Sequence, residues 1–166
     1  MKRIIQDKLP RILKNRKRLE KKLDVKISNR GKELSVEGNS LNEYTANMVI
    51  EALTYGFPYS ATMRIKEEGA IFEVLNIKDY TKSNNLERVR GRIIGKDGAT
   101  LKTLQQLTKC DFEIKGNQVA IIGDPEYIEN AQNAVISIIK GSKQSNVYAF
   151  LEKHQIKPVI DLGLKE

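Results

Sequence analysis

The sequence predicts an α+β protein made of two successive β-α-α-β-β-α units, the first of them degenerate, packed with a short C-terminal helical tail. Three observations lead there. A weak internal repeat runs in order along the chain, the second copy shows strand and helix periodicities in that sequence, and no apolar run approaches the ~20 residues of a membrane span. The expected divisions are a degenerate unit at 1–56, a connecting segment at 57–69, a second unit at 70–141 and a helical extension at 142–166.

In the second copy Ile71, Leu75 and Ile77 share one face of a strand, and the polar stretch Lys78 to Asn85 suits a loop. A short helix over Leu86–Ile94 meets Gly95, where the missing side chain allows a tight turn, and helical spacing resumes over Ala99–Lys109 through Leu101, Leu104 and Leu107. Strands follow near Phe112–Lys115 and Gln118–Ile122, joined at Gly116-Asn117. Asp124 is placed to cap the last helix, with Pro125 at its first position and Ile128, Ala131, Val135 and Ile138 as its buried stripe.

The first copy aligns with this frame in blocks. Pro10–Lys17 falls on Gly91–Gly98, Asp24-Val25-Lys26-Ile27 on Asp111-Phe112-Glu113-Ile114, and Val36-Glu37-Gly38 on Ile121-Ile122-Gly123. Ala46, Ile50 and Leu53 fall on Ala131, Val135 and Ile138. The first two blocks are six residues apart in the first copy and twelve in the second. This alignment puts Lys14-Asn15-Arg16-Lys17 in the position of Gly95-Lys96-Asp97-Gly98, with charge kept and both glycines gone.

Composition narrows the function. With 40% hydrophobic and 30% charged residues the chain is expected to fold rather than stay disordered. The formal charge is +8, but residues 1–32 hold thirteen Lys/Arg against three acids, and the remainder 16 against 18. The excess is therefore N-terminal, where it points to a polyanion partner, with a solvated charged helix or a soluble tail as the alternative. Lys14, Arg16, Lys17, Arg18, Lys21 and Lys22 form this secondary basic surface. The lone Cys110 can make no internal disulfide, and its spacing from Leu101, Leu104 and Leu107 puts it on a buried helical face. With no apolar leader after Met1, the expected location is cytoplasmic, without a membrane partner.

Catalysis finds no footing. His154, the single histidine, falls in a polar helical segment, Val147–Gln155, and the acids are scattered, so no catalytic group, metal site or cofactor is expected. Gly91–Asp97 differs from a nucleotide P-loop in having three residues between its glycines and Asp in place of the magnesium-binding hydroxyl, and the dinucleotide fingerprint is absent.

Arg92-Ile93-Ile94-Gly95-Lys96-Asp97-Gly98, set between two helices and followed by β-β-α, resembles the GxxG loop of type I KH domains, which clamps the backbone of about four nucleotides. Gly95 and Gly98 would let a sugar-phosphate chain approach, with Lys96, Arg92 and Lys102 on phosphates and Asp97 completing the loop. Ile94 and Leu101 would floor the groove, although both also suit an ordinary core, and Arg88 and Arg90 would add charge or a solvated face. The resemblance implies that the opposite wall is the strand bearing Phe112, Glu113 and Ile114.

Two such units in tandem, together with Arg88–Gly95, Val119–Gly123, Gly141-Ser142 and Val147–Glu152, resemble archaeal relatives of the KH-domain factor of small ribosomal subunit assembly. That resemblance implies binding of small-subunit ribosomal RNA near its 3′ end, with RNA rather than DNA as the nucleic acid. It further implies two protein partners, the endonuclease that trims that end and the alpha subunit of the archaeal initiation factor. A protein-interaction adaptor that uses the fold as scaffold is the alternative, with the first unit as its docking surface.

Overall fold

The computed structural model describes residues 2–5 and 8–155. The first half runs β1 (Lys2–Ile4), α1 (Leu9–Lys14), α2 (Arg16–Leu23), β2 (Lys26–Arg30), β3 (Glu33–Glu37), α3 (Ser40–Tyr55) and α4 (Tyr59–Glu67). The second repeats it as β4 (Ile71–Asn76), α5 (Leu86–Ile94), α6 (Ala99–Thr108), β5 (Asp111–Lys115), β6 (Gln118–Gly123), α7 (Pro125–Ile139) and α8 (Gln144–Lys153). Each half forms an antiparallel sheet with its last strand in the middle, in the orders β1-β3-β2 and β4-β6-β5. The α+β class and the doubled β-α-α-β-β-α order are thus as expected from sequence. Each unit carries one helix more, because the segment 57–69 folds into α4 as the extension folds into α8. The part of that extension from 156 to 166 lies outside the described residues.

Side-chain alternation explains how the halves join. In β3, Leu34 and Val36 point inward while Glu33, Ser35 and Glu37 alternate with them, so this sheet buries one face. In β6 no such alternation exists. Val119 and Ile121 belong to the second unit's core, whereas Ala120 and Ile122 pack into the first unit's core with Phe72 and Val74 of β4. A sheet covered on both faces reads as a continuous apolar run, as Val119–Ile122 does.

Buried positions also set the repeat's true register. Ile12 matches Ile93 and Leu19 matches Leu104, all four without solvent exposure. The helices α2 and α6 both end in a left-handed residue, Asp24 at φ 52° and Lys109 at φ 56°. The next residues, Val25 and Cys110, sit against Gly38 and Gly123, where an added Cβ would meet Val25 Cγ1 at 3.0 Å and Cys110 Sγ at 2.3 Å. Asp24 therefore corresponds to Lys109 and not to Asp111. The alignment by sequence slipped two residues because a shift of two keeps the same face of a strand inward. Cys110 is correspondingly a core residue beyond the end of α6, outside the helical face on which its spacing had put it.

One side chain ties α4 to the second unit. Arg64 donates from Nε to Glu68 (2.9 Å), from Nη1 to Asp111 (3.3 Å) and from Nη2 to Asp124 (3.2 Å). Asp124 stands at the N-cap of α7 as expected, yet its side chain makes no capping bond, since its carboxylate is taken up by Arg64.

Candidate nucleic-acid interface

The loop between α5 and α6 takes its shape from three successive demands for positive φ. Gly95 lies at φ 77°, ψ 175°, Asp97 at φ 54° and Gly98 at φ 77°, with Lys96 the one loop residue that lacks a positive φ. The two glycines differ in what surrounds them. A Cβ on Gly95 would come within 2.2 Å of Thr100 Oγ1 and 2.7 Å of the Thr100 amide nitrogen, while one on Gly98 would meet nothing within 4 Å. Gly95 is thus required by packing, and Gly98 leaves an open approach to the backbone. Behind them, α6 starts without any side-chain cap. Its first-turn N–H groups and positive dipole end face the loop beside the exposed Lys96 and Asp97, an arrangement that can attract an anion.

Next to the loop, Ile94 is half-buried, and Leu101 and Ile114 of β5 are half-buried and packed against the second unit's core with one side left to solvent. An apolar floor of this kind can take the flat faces of bases. β5 is one of the sheet's two outer strands, and the two-residue turn at Gly116-Asn117, with Gly116 at φ 57°, pairs Lys115 with Gln118. Counting back from that pair, antiparallel alternation turns the backbone groups of Phe112 and Ile114 to the free edge. The Phe112 amide has an in-chain acceptor in Gln105 Oε1 at 3.5 Å. The Phe112 ring is buried beneath the floor, and Glu113 projects from the sheet's other face toward the first unit. Burial raises the Glu113 carboxyl above its usual value, an effect opposed by Lys8 and Arg11.

The expected cations separate into free and engaged groups. Lys102 and Arg88 are exposed like Lys96. Arg90 reaches the Gly116 carbonyl at 3.1 Å. Arg92 is engaged within the protein: it donates from Nη1 to the Ile138 carbonyl (2.8 Å) and from Nη2 to that of Ser142 (2.5 Å), holding the end of α7 and the entry to α8. Thr100, whose backbone and hydroxyl enclose Gly95, was not foreseen, because a threonine in the first turn of an amphipathic helix carries no distinguishing signal.

In the first unit the counterpart loop does not exist. Between buried Ile12 and Leu19 the chain is four residues shorter than between Ile93 and Leu104, and α1 passes into α2 through Asn15 alone. Lys14, Arg16 and Lys17 are therefore helical residues and do not form a glycine-free loop. Arg18 stacks over the Tyr59 ring at 4.0 Å, Arg16 pairs with Glu20 at 3.5 Å and Lys22 with Glu67 at 3.6 Å, while Lys14, Lys17 and Lys21 are exposed.

Residues 71–156 match the family of the second KH domain of PNO1, described as a eukaryotic-type, type I KH domain. A KH domain-containing protein of Methanocaldococcus jannaschii is 30% identical over 154 residues, covering 86% of this chain and 66% of that protein. The RNA-binding protein pno-1 of Caenorhabditis elegans is 38% identical over 80 residues, 48% of this chain and 29% of that one. The chain thus spans two thirds or less of the length of these curated relatives. A crystal structure of an a/eIF2alpha–aDim2p–rRNA complex from Pyrococcus horikoshii OT3 superposes with a TM-score of 0.80 at 28% identity, covering 93% of this chain and 94% of that one.

Proposed function

Since this chain belongs to the PNO1-type family of type I KH proteins, we propose that it is a non-catalytic single-stranded RNA-binding protein that grips small-subunit ribosomal RNA near its 3′ end during ribosome assembly. The observation that carries this reading is the open backbone at Gly98 in front of the uncapped α6 N-terminus, flanked by Lys96 and the half-buried Ile94 and Leu101. Phosphates would bind the amides and Lys96, bases would lie on the apolar floor, and the edge groups of Phe112 and Ile114 would read them. The rRNA in the similar aDim2p complex supports the same class of ligand, and a/eIF2alpha in that complex supports the initiation-factor alpha subunit as a partner. The endonuclease partner is part of the same family reading.

The test is Lys96→Asp, which sets two adjacent carboxylates in the loop without touching any buried group. Crosslinking of full-length protein to small-subunit rRNA should fall at least tenfold with the melting curve unchanged. Undiminished crosslinking would overturn the reading. The adaptor alternative draws on the first unit, which lacks the loop and exposes Leu41 (72%) and Tyr44 (61%) one turn apart on α3.

A further inference from the structure

Away from the groove the second unit holds a concavity of about 310 Å³, lined by Lys78, Asp79, Tyr80, Thr81, Lys82 and Lys140. The path of the chain builds it. β4 is the sheet's other outer strand, and it ends in one 3₁₀ turn, Ile77–Asp79, anchored by the Ile77 amide on the Asn117 carbonyl at 2.9 Å. Tyr80 then packs against the second unit's core, Thr81 accepts the Ser83 amide at 3.2 Å, and Lys140 comes in from the C-cap of α7.

α5 separates this concavity from the groove. Arg90 reaches the Gly116 carbonyl at the end of β5, whereas Arg92 reaches the end of α7, and residues two apart on a helix point about 200° from each other. Lys140 lies in sequence between Ile138 and Ser142, whose carbonyls Arg92 holds, so the concavity belongs to the α7 flank of α5 and the groove to the β5 flank. The exposed Arg88, one turn before Arg92, lies on that same α7 flank.

Lys78, Lys82 and Lys140 are exposed, and among the described residues none of them has a carboxylate within ion-pairing distance. The negative end of the α7 dipole accounts for Lys140 in part; Lys78 and Lys82 have no such neighbour. Apart from Asp79, every lining side chain can donate a hydrogen bond, and Thr81 keeps its own proton because only its oxygen is used by Ser83. Ammonium and hydroxyl donors around one hollow suit a phosphate. The kind of phosphate follows from the ring. Single strands are held by cations together with open aromatic faces on which bases stack, and Tyr80 is instead packed against the core. Double-stranded RNA asks only for backbone donors of the right spacing.

We propose that this concavity is a second RNA site, taking a backbone phosphate of double-stranded RNA while the groove holds a single strand. The inference rests on the RNA-binding reading of the loop and extends it. The protein then sits at the junction of a single strand and a helix, with α5 between them.

The experiment titrates full-length protein, by anisotropy, against two fluorescein-labelled RNAs: an unstructured octanucleotide and a blunt duplex of about 16 base pairs, the span of a double-stranded RNA-binding domain. Excess unlabelled octanucleotide should leave the duplex bound. A Lys78→Ala/Lys82→Ala/Lys140→Ala variant with a wild-type melting curve should lose at least tenfold in duplex affinity and keep octanucleotide affinity within twofold. Its duplex affinity should also fall less steeply with salt, by about 1–3 in log–log slope. The control, Lys26→Ala/Lys32→Ala/Lys66→Ala, removes the same charge from exposed positions of the first unit. An equal loss there would mean undirected attraction and overturn the site, as would displacement of the duplex by the octanucleotide. Tighter binding of a labelled polyglutamate peptide than of the duplex at equal salt would also overturn it, in favour of an acidic protein segment. Lys96→Asp separates the two claims. Unchanged octanucleotide binding in that variant means that the loop reading fails; lost octanucleotide binding, with wild-type duplex affinity in the triple lysine variant, means that the concavity alone fails.

Discussion

The two loop glycines offer a test that separates folding from ligand approach. Gly95→Ala and Gly98→Ala add the same methyl three residues apart, both at φ 77°. At Gly98 the methyl meets nothing, so the cost to the fold is the left-handed backbone alone, about 1–2 kcal/mol. For a chain of this size that lowers Tm by roughly 2–8 °C. At Gly95, whose ψ of 175° lies where essentially only glycine goes, a backbone cost no smaller than that is joined by overlap with Thr100 Oγ1 and with the Thr100 amide nitrogen at 2.7 Å. Overpacking against backbone adds about 1–3 kcal/mol, for a total of about 2–5 kcal/mol. Thr100→Ala would not rescue Gly95→Ala, because the amide nitrogen stays where it is. RNA affinity should show another ranking: Gly98→Ala, the milder change to stability, places its methyl in the open approach and should still weaken single-stranded RNA binding about tenfold or more. Circular dichroism melts and anisotropy titrations on the same samples supply both axes. Wild-type RNA affinity in a folded Gly98→Ala variant, or equal stability losses at the two sites, would refute the assignment of packing to one glycine and access to the other.

Arg92→Lys should cost about 1–3 kcal/mol, since one ammonium cannot span the Ile138 and Ser142 carbonyls, while RNA affinity of the folded fraction stays within twofold; a tenfold affinity loss would return Arg92 to the phosphate. Arg64→Ala should lower stability by only about 1–2 kcal/mol, because its carboxylate partners are each at least a third exposed, and the difference should shrink in high salt; a salt-independent loss would point to packing instead. Burial pushes the Cys110 thiol from 9.0 up to about 11. The unfolded chain then loses this proton at lower pH than the folded one, so the group's contribution to stability is complete below pH 9 and fades toward 11. Urea midpoints should fall more over that range for wild type than for Cys110→Ser, and thiol reagents at pH 8 should label the native protein only as fast as it unfolds.

How much was legible depended on whether neighbours in sequence carried the information. The Gly95–Gly98 loop was readable because its glycines answer a local backbone demand, and the helix stripes were readable from their period. The four-residue difference between the units was misread because the basic residues Lys14–Lys17 look like a charged loop, and only the burial of Ile12 and Leu19 shows them to be helical. The intramolecular bonds of Arg92 were not legible for another reason. Its acceptors are carbonyls 46 and 50 residues away, and a carbonyl leaves no trace in the side-chain pattern. Glu113 shows the same limit, because the face of β5 that it occupies is the one on which the first unit packs, and that packing lies far off in sequence.

The unalternating run Val119–Ile122 makes the first unit's role more than a faded copy of the second. A sheet whose back face is apolar cannot stand alone in water, so the second unit, loop included, requires a cover over Phe72, Val74, Ala120 and Ile122. The first unit supplies it with α3, α4 and their core, and α4 adds the Arg64 tie at the start of β5. A unit held to that task must keep its buried frame, as Ala46, Ile50 and Leu53 do opposite Ala131, Val135 and Ile138. It is under no demand to keep a phosphate loop. A short joint at Asn15 shortens the chain to be ordered and leaves the covering face intact, and Gly56 keeps the edge of that cover clear beside β5. The degenerate half is on this account a structural wall of the RNA site, so mutations in its core should impair RNA binding without touching any residue of the loop.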